Sequence, residues 1–240
     1  MKSRCLRLLA LVAMAWVGSA LASGCGRGEA PQSPPETAGP ARVAPPPPGA
    51  PRPVAVLSVV GFGEIRVELM PEIAPVTVEN FVKLASEKFY DGTTFHRVIP
   101  GFMIQGGDPN TKNRDPRDDG QGGPGYTIED ERSAVSHTRG MVSMANTGKP
   151  KSGGSQFFIV VADSPHLDGG YSLFGQVIQG IEVADRIAAV ERDLYGRQGP
   201  TDRPIEDVVI GSIRIEGGEP AGDSAPSPVP ESHLEWDEGA

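Results

Sequence analysis

Short apolar runs separated by glycines fill the middle of the chain and restrict the folds that it can adopt. Six of them read TFHRVI, FMIQ, MVSMA, QFFIVVA, LFGQVI and DVVIGSIRI, and VAVLSVVGFGEIRVELM adds two more around a glycine-containing turn. Runs of this length, rich in β-branched and aromatic residues, are typical of strands rather than helices. Eight short strands favour an antiparallel barrel or a sandwich.

Two stretches have helical spacing instead. In residues 74–92 the apolar side chains that share one helical face are Val78, Phe81, Val82, Leu84 and Ala85, and Asp91-Gly92 closes the stretch. In residues 180–191 the corresponding face consists of Ile181, Ala184, Ile187 and Ala188. The prediction is therefore a mainly β domain whose two helices cover the open ends of the β structure.

The first 24 residues predict a secretory signal peptide. They begin with three basic residues, continue through LLALVAMAWVGSALA and end in small residues. The alternative is a transmembrane anchor, but the apolar run is shorter than the roughly 20 residues that a spanning helix needs. The exit, LASGC, resembles the lipobox of bacterial lipoproteins, which implies lipidation of Cys25. A soluble secreted protein with a chance cysteine is the alternative.

These features predict an exported protein that is lipid-anchored in the bacterial cell envelope, on the periplasmic face. Gly26 stands where an aspartate often signals retention in the inner membrane, so the outer membrane is preferred. Cys5, the other cysteine of the chain, would be removed with the signal peptide. The mature chain would then form no disulfide, and its stability must come from an ordinary hydrophobic core.

Composition divides the remaining chain into three parts. Residues 25–53 are rich in proline and predict a semi-rigid, extended tether. Residues 217–240 carry acids without lysine or arginine and predict a disordered acidic tail, which leaves residues 54–216 as the folded domain. The net charge of −9 becomes −12 without the three basic residues of the signal peptide. Such a charge disfavours non-specific binding to nucleic acid or anionic lipid.

Most familiar catalytic patterns are absent from the sequence. It contains no G-x-S-x-G motif, no mature cysteine nucleophile and no H-E-x-x-H spacing among its four histidines. The acids Asp115, Asp118 and Asp119 could suggest a calcium site, but they lack the spacing of a calcium loop and alternate with arginines, so a solvated loop is favoured. We therefore expect no metal and no cofactor.

The stretch FHRVIPGFMIQGGD places Arg97 and Gln105 among apolar residues. Such a site has neither nucleophile nor general base, and it suits a reaction in which no covalent bond is made or broken. Rotation about an X-Pro amide is such a reaction, and its twisted transition state gains a nitrogen lone pair that a guanidinium can bind. A salt bridge at the rim of a barrel is the alternative interpretation of Arg97.

Four segments together resemble the cyclophilin family of peptidyl-prolyl cis-trans isomerases: FHRVIPGFMIQGGD, GMVSMANTG, SGGSQFFI and LDGGYSLFGQVIQGIEVADRI. The resemblance covers the whole central domain in the order of the family. It implies a closed eight-stranded antiparallel barrel capped by two α-helices. It also implies an enzyme that accelerates the rotation of X-Pro bonds in exported proteins, with proline-containing polypeptides as partners.

The resemblance also assigns roles to residues. Arg97 is the catalytic donor, and Gln105 orients it and contacts the substrate backbone. Alternation along a strand cannot place Phe102, Met103 and Gln105 on one face, unless Gly101 permits a bulge or a twisted strand start. The residues implied to bind the substrate are Phe102, Met103, Ala145, Asn146, Gln156, Phe158, Leu167 and Tyr171.

Two positions depart from the best-known eukaryotic members. His166 stands where those have a tryptophan, and Tyr171 stands where they have a histidine. Loss of the tryptophan removes a donor and a large apolar face, so we expect weak cyclosporin binding. Two other functions stay open at this point. One is a proline-segment-binding chaperone or scaffold with little turnover, and the other is a structural envelope lipoprotein whose tails carry the function.

Overall fold

The computed structural model describes residues 52–197 and 199–217. The predicted signal peptide, the predicted tether up to residue 51 with Cys25, and the tail beyond Gly217 lie outside the described residues. The last two residues of the predicted tether are described and contact the domain: Arg52 pairs with Glu68 at 2.6 Å, and the Pro53 carbonyl accepts from the Leu69 N–H at 2.8 Å. Within the described part of the chain, no helix has the length and apolarity that crossing a membrane requires.

Two helices and a large antiparallel sheet make up the domain. In chain order the elements are β1 (Val54–Val59), β2 (Gly63–Leu69), α1 (Pro75–Ser86), β3 (Arg97–Ile99), β4 (Met103–Gly106), β5 (Met141–Met144), β6 (Phe157–Val160), β7 (Ser172–Gln179), α2 (Ile181–Ala188), β8 (Arg192–Asp193), β9 (Arg203–Pro204) and β10 (Ile210–Glu216). The main sheet has the order β10-β1-β2-β7-β5-β6-β4-β3, and β8 pairs with β9 separately. The predicted mainly β fold with two helices is confirmed.

The closed barrel expected from the sequence is wrong, because the main sheet is an open, curled half-barrel with β10 and β3 as its edges. Among the described residues these two strands share no ladder. An isolated bridge between Thr94 and Val209 connects the chain before β3 to the chain before β10. Strand β3 has only three residues, and its outer edge is occupied by the bond from the Val98 N–H to the Asp202 carbonyl at 2.9 Å. Backbone groups that are already paired cannot extend the ladder around to β10.

The sheet separates a large core from a smaller apolar cluster. Val98, Ile104 and Ile159 point to the inner side and are fully buried. Their neighbours along the strands point to the opposite side, as the two-residue period of a strand requires. The outer cluster consists of Met103, Phe158, Val160 and Leu167. This second cluster lies on the face that carries the site described below.

Both predicted helical faces are buried for the most part, but Val82 and Ile181 are only half-buried, and Val183 joins the buried face of α2. In α1 the buried apolar residues are Val78, Phe81, Leu84 and Ala85, and in α2 they are Val183, Ala184, Ile187 and Ala188. Helix α1 ends at Ser86, earlier than the predicted Asp91-Gly92, because Lys88 adopts a left-handed conformation with φ of 58°. A left-handed residue just beyond a helix reverses the chain direction.

A distant carboxylate caps the start of helix α1. Ala74 at the N-cap offers no side-chain acceptor. Instead, Glu131 accepts from the backbone N–H groups of Val76 at 3.0 Å and Thr77 at 2.7 Å, and from the Thr77 hydroxyl at 2.7 Å. The carboxylate satisfies donors that the helix cannot satisfy itself, and its charge lies at the positive end of the helix dipole.

We predict that Glu131→Ala destabilises the domain by about 1–2 kcal/mol, since these donors then lack their partner. In a domain of this size that corresponds to a fall in Tm of roughly 3–6 °C, which calorimetry measures. The control is Glu129→Ala, which removes an exposed ion pair with Lys151 and should leave Tm nearly unchanged, because exposed ion pairs contribute little to stability. Equal effects of the two substitutions would contradict the capping role.

Candidate active site

Three short antiparallel strands place a cation, an amide and an aromatic ring in one row. Arg97 of β3 is the cross-strand partner of Gln105 in β4, and Gln105 is the partner of Phe158 in β6. Residues directly opposite each other in antiparallel strands project to the same face. That face is the outer one, because the neighbours Val98 and Ile104 belong to the inner core. The three side chains therefore meet outside the barrel core.

A turn explains how Phe102 joins this face despite strand alternation. Gly101 has φ of 69°, in the left-handed region that glycine adopts without strain. The Phe102 N–H donates to the Ile99 carbonyl at 3.1 Å, so the chain reverses between these residues. Strand β4 begins at Met103. Phe102 therefore belongs to the turn, the alternation rule does not apply to it, and no bulge is needed.

The structure brings nine of the ten predicted site residues around one small cleft of about 110 Å³. They are Arg97, Phe102, Met103, Gln105, Ala145, Asn146, Phe158, Leu167 and Tyr171. The apolar part of the lining is buried, since Met103, Phe158 and Leu167 have exposed fractions of 2%, 5% and 8%. The cleft thus has an apolar floor and a polar edge that carries one cation.

The guanidinium of Arg97 has no carboxylate partner and no hydrogen bond to any of the described residues. Two other arginines of the domain are paired: Arg139 with Asp185 at 2.6 Å and Arg203 with Asp119 at 2.7 Å. The side chain of Arg97 is only half-buried. Within the described part of the chain, the salt-bridge interpretation is therefore wrong, and the donors of Arg97 are available to a ligand.

The two glutamines connect the cleft to a long loop. Gln105 Nε2 donates to Gln156 Oε1 at 3.0 Å, and Gln156 Nε2 donates to the Gly122 carbonyl at 2.9 Å. Gln156 therefore lies behind Gln105 and does not line the cleft as the resemblance implied. No side-chain hydrogen bond joins Gln105 to Arg97 among the described residues, so the Gln105 side chain constrains Arg97 only as its neighbour across the strands.

The loop that follows β4 is ordered around a buried carboxylate. Asp108, which is fully buried, accepts from the backbone N–H groups of Asn110 at 2.8 Å and Gly122 at 3.2 Å. Of the acids considered for calcium, Asp115 pairs with Arg117 at 2.7 Å. Polar contacts within the loop therefore stabilise its conformation, and Gln156 connects the loop to the cleft.

The side chain of Asn146 forms hydrogen bonds within the protein, whereas its main-chain groups are available to a ligand. Its Nδ2 donates to the Gly170 carbonyl at 3.0 Å, and its Oδ1 accepts from the Gly148 N–H at 3.0 Å. Its main-chain N–H and C=O have no hydrogen-bond partner among the described residues. Backbone groups of this kind can pair with an extended peptide, as an exposed strand edge does.

Aromatic contacts shape the rest of the cleft. The rings of Phe158 and Tyr171 meet edge to face, with centroids 5.2 Å apart at 88°. The exposed imidazole of His166 lies over Phe102, with centroids 5.2 Å apart. Among the described residues, no group of three or more His, Cys, Asp or Glu side chains is placed to hold a metal ion.

His96 points away from the cleft, as its position next to Arg97 in the chain predicts. Its side chain is buried, and neither ring nitrogen has a hydrogen-bond partner of good geometry among the described residues. Burial lowers the pKa of His96 to about 4, although the nearby charge of Asp108 opposes the shift. The imidazole is therefore neutral at pH 7.

Comparisons with known proteins identify the family of the chain. The sequence model of the family described as cyclophilin-type peptidyl-prolyl cis-trans isomerase/CLD matches residues 55–215. Peptidyl-prolyl cis-trans isomerase B of Bacillus subtilis is 53% identical over 127 residues, which cover 52% of this chain and 83% of that protein. Peptidyl-prolyl cis-trans isomerase CYP18-1 of Arabidopsis thaliana is 42% identical over 166 residues, which cover 67% of this chain and 95% of that protein.

A solved structure shows the same fold. The crystal structure of a Cryptosporidium parvum cyclophilin-type peptidyl-prolyl cis-trans isomerase, obtained in the presence of the dipeptide Ala-Pro, has a TM-score of 0.60 and 32% identity. The similarity covers 69% of this chain and 99% of that one. The chain belongs to the family of cyclophilin-type peptidyl-prolyl cis-trans isomerases. Isomerisation of peptidyl-prolyl bonds is its activity, as identities of 42–53% to isomerases of the family support.

We predict that His96 makes stability depend on pH below neutrality. Its folded pKa lies below the ordinary value of 6.5. As the pH falls from 6.5 towards 4, the unfolded chain binds a proton that the native state excludes, so stability decreases. The shift corresponds to about 3 kcal/mol, to be measured by urea unfolding at pH 7 and pH 4.

His96→Gln should remove this contribution, so that its loss of stability between the two pH values is smaller than that of the wild type. The exposed His166→Gln variant should retain the loss of the wild type. If the two variants lose equal stability on acidification, His96 does not carry the effect.

Proposed function

We propose that Arg97 catalyses the rotation of X-Pro bonds by binding the prolyl nitrogen in its twisted state. Resonance imposes a barrier of roughly 18–20 kcal/mol on the planar amide. In the twisted transition state the nitrogen has lost this resonance and carries a lone pair. A donor aimed at that lone pair binds the transition state more tightly than either planar isomer, which is the condition for catalysis. The single observation that carries the proposal is the unpaired guanidinium at the edge of an apolar cleft.

The chemistry of the lining supports a reaction without covalent steps. The nine lining residues include no thiol, imidazole or carboxylate. A nucleophile activated by an adjacent base, or a general acid–base pair, therefore has no candidates within this lining. Binding and electrostatic stabilisation by Arg97 are the means that these residues offer.

The substrate follows from the shape and polarity of the cleft. The floor of Phe102, Met103, Phe158 and Leu167 suits a pyrrolidine ring, which must stay still while the acyl side turns. The free main-chain groups of Asn146 suit the peptide backbone just before the proline. The Cryptosporidium relative, crystallised in the presence of Ala-Pro, supports a proline-containing ligand.

We predict that Arg97→Ala lowers kcat/KM for an Ala-Pro-containing peptide by about 10²–10³-fold, the usual effect of removing one transition-state donor. Arg97→Lys should recover only part of this loss, because an ammonium lacks the planar fork of a guanidinium. A protease-coupled assay measures both. The control is Arg214→Ala, which removes an exposed arginine paired with Glu64 and should leave the rate unchanged.

The same assay tests the alternative function, a proline-segment-binding chaperone or scaffold module. An inactive wild type that still binds the peptide would favour that module over the enzyme. Full activity in Arg97→Ala would contradict the role of Arg97, even if the protein is an isomerase.

The site of action is a further part of the proposal. The basic and apolar N-terminus, the LASGC exit and the proline-rich residues 25–53 support an exported protein, anchored by a lipid on Cys25 at the periplasmic face. The outer membrane is preferred because Gly26 follows the cysteine. At roughly 3 Å per residue, an extended tether would hold the domain some tens of ångströms from the membrane. Exported proteins would then be its substrates.

The exposed position of His166 over Phe102 supports the proposal of weak cyclosporin binding. An imidazole offers a smaller apolar face at this rim than a tryptophan would. Tyr171 still contributes a ring to the lining, so the change is not expected to impair catalysis.

We predict that cells expressing the protein incorporate radiolabelled palmitate into it, and that Cys25→Ser abolishes the label. The variant should also leave the membrane fraction, because thioether-linked lipid is the anchor proposed. Fractionation of the envelope, followed by detection of the protein, measures the second effect. An unlabelled wild-type protein in the soluble fraction would contradict lipid anchoring without affecting the isomerase assignment.

A further inference from the structure

Behind the cleft, three side chains form a serine–histidine–aspartate hydrogen-bond chain. The imidazole of His137 lies 2.9 Å from Ser143 Oγ through Nε2 and 2.9 Å from Asp168 Oδ1 through Nδ1. The carboxylate accepts, so Nδ1 carries the proton, and Nε2 accepts from the serine hydroxyl. His137 is 6 positions from Ser143 and 31 positions from Asp168 in sequence, so no short motif predicts this arrangement.

The Ser143–His137–Asp168 hydrogen-bond network is not a nucleophilic site. Ser143 has an exposed fraction of 0%, and its hydroxyl is already bonded to His137 inside the protein. A buried serine cannot reach a substrate carbonyl, which nucleophilic attack requires. None of the three residues lines the cleft. Their contribution must therefore pass through the residues that they hold.

The hydrogen bonds of His137 first hold in place the segment around Leu167, which lines the cleft. Asp168 accepts from both the backbone N–H of His137 at 2.8 Å and its ring. On the other side of Leu167, the Ser164 N–H donates to the His137 carbonyl at 2.8 Å. His137 thus fixes this segment at two points that flank Leu167. Bonds to both sides of a short segment restrict the side chain that it presents.

Second, His137 contacts the aromatic wall of the cleft. The imidazole of His137 stacks against Phe158, with centroids 6.2 Å apart and planes at 21°. It also meets Tyr171 edge to face at 6.3 Å. Phe158 and Tyr171 contact each other as well. His137 therefore supports, from behind, the two rings that line the cleft.

We infer that His137 is a positioning residue for the proline site: its hydrogen bonds to Ser143 and Asp168 hold Phe158, Tyr171 and Leu167 at the spacing that a proline ring needs. The inference rests on the proposed use of the cleft for proline. It assigns no contact with the substrate to His137. Its loss should therefore weaken binding of the peptide and leave the action of Arg97 on bound peptide nearly intact.

The test compares variants that keep or remove the bonds. His137→Phe retains a ring of similar size and removes both ring hydrogen bonds. Asp168→Ala removes the acceptor, whereas Asp168→Asn retains a carbonyl oxygen that can accept from both donors. We expect His137→Phe and Asp168→Ala to raise KM for an Ala-Pro-containing peptide about tenfold, with kcat within about twofold of the wild type. Asp168→Asn should stay within about threefold in KM.

A destabilised control separates positioning from general loss of stability. Leu57→Ala opens a cavity in the main core at β1, so it should lower Tm and leave KM unchanged. The inference fails if His137→Phe and Asp168→Ala keep the KM of the wild type, or if Leu57→Ala raises KM as much as they do. If His137→Phe does not fold, the comparison of Asp168→Ala with Asp168→Asn decides, since Asp168 lies at the surface with 32% of its side chain exposed. An inactive wild type would contradict the proposed function instead.

Discussion

The register of strands β3, β4 and β6 determines where the chemistry of this protein lies. It puts Arg97, Gln105 and Phe158 in one row on the outer face of the sheet. A slip of one residue in any of these strands would move its whole set of side chains to the other face. The row would then be broken, and the core residue of the slipped strand (Val98 in β3, Ile104 in β4 or Ile159 in β6) would turn away from the core. Burial of the core and construction of the site are therefore enforced by the same pairing.

The register places Arg97 beside the cleft, but its guanidinium is available to a ligand only because no carboxylate of the described residues lies next to it. The fold supplies carboxylate partners for Arg139 and Arg203, but it places none beside Arg97 among the described residues. A neighbouring carboxylate would occupy the planar donor fork and offset the charge that the transition state needs. In the proposed mechanism, the apolar floor next to the guanidinium lowers the local polarity, which would strengthen its interaction with a developing lone pair. An unpaired cation beside an apolar cleft contributes little to stability, and we propose that its role is catalytic.

Local patterns predicted the elements well, whereas long-range pairing escaped them. The spacing of Phe81 and Leu84 marks the buried face of α1. The residues of the cleft were instead predicted from the resemblance of four segments to the cyclophilin family, and the structure brings nine of them together. The open half-barrel results because the two edge strands, β3 and β10, do not pair with each other. These strands are far apart in sequence, so no local pattern shows whether they pair. The place of Gln156, the cap by Glu131 and the bond between His137 and Asp168 join residues 31 to 55 positions apart. Proximity of this kind follows from the tertiary fold alone.

A crystal structure of the protein with a bound Ala-Pro-containing peptide tests the role of Arg97 most directly. We expect the proline ring on Phe158 and Met103, with the guanidinium of Arg97 within about 3–4 Å of the prolyl nitrogen and free of any carboxylate. A guanidinium turned away from the peptide, or held in an ion pair while the proline occupies the cleft, would contradict it.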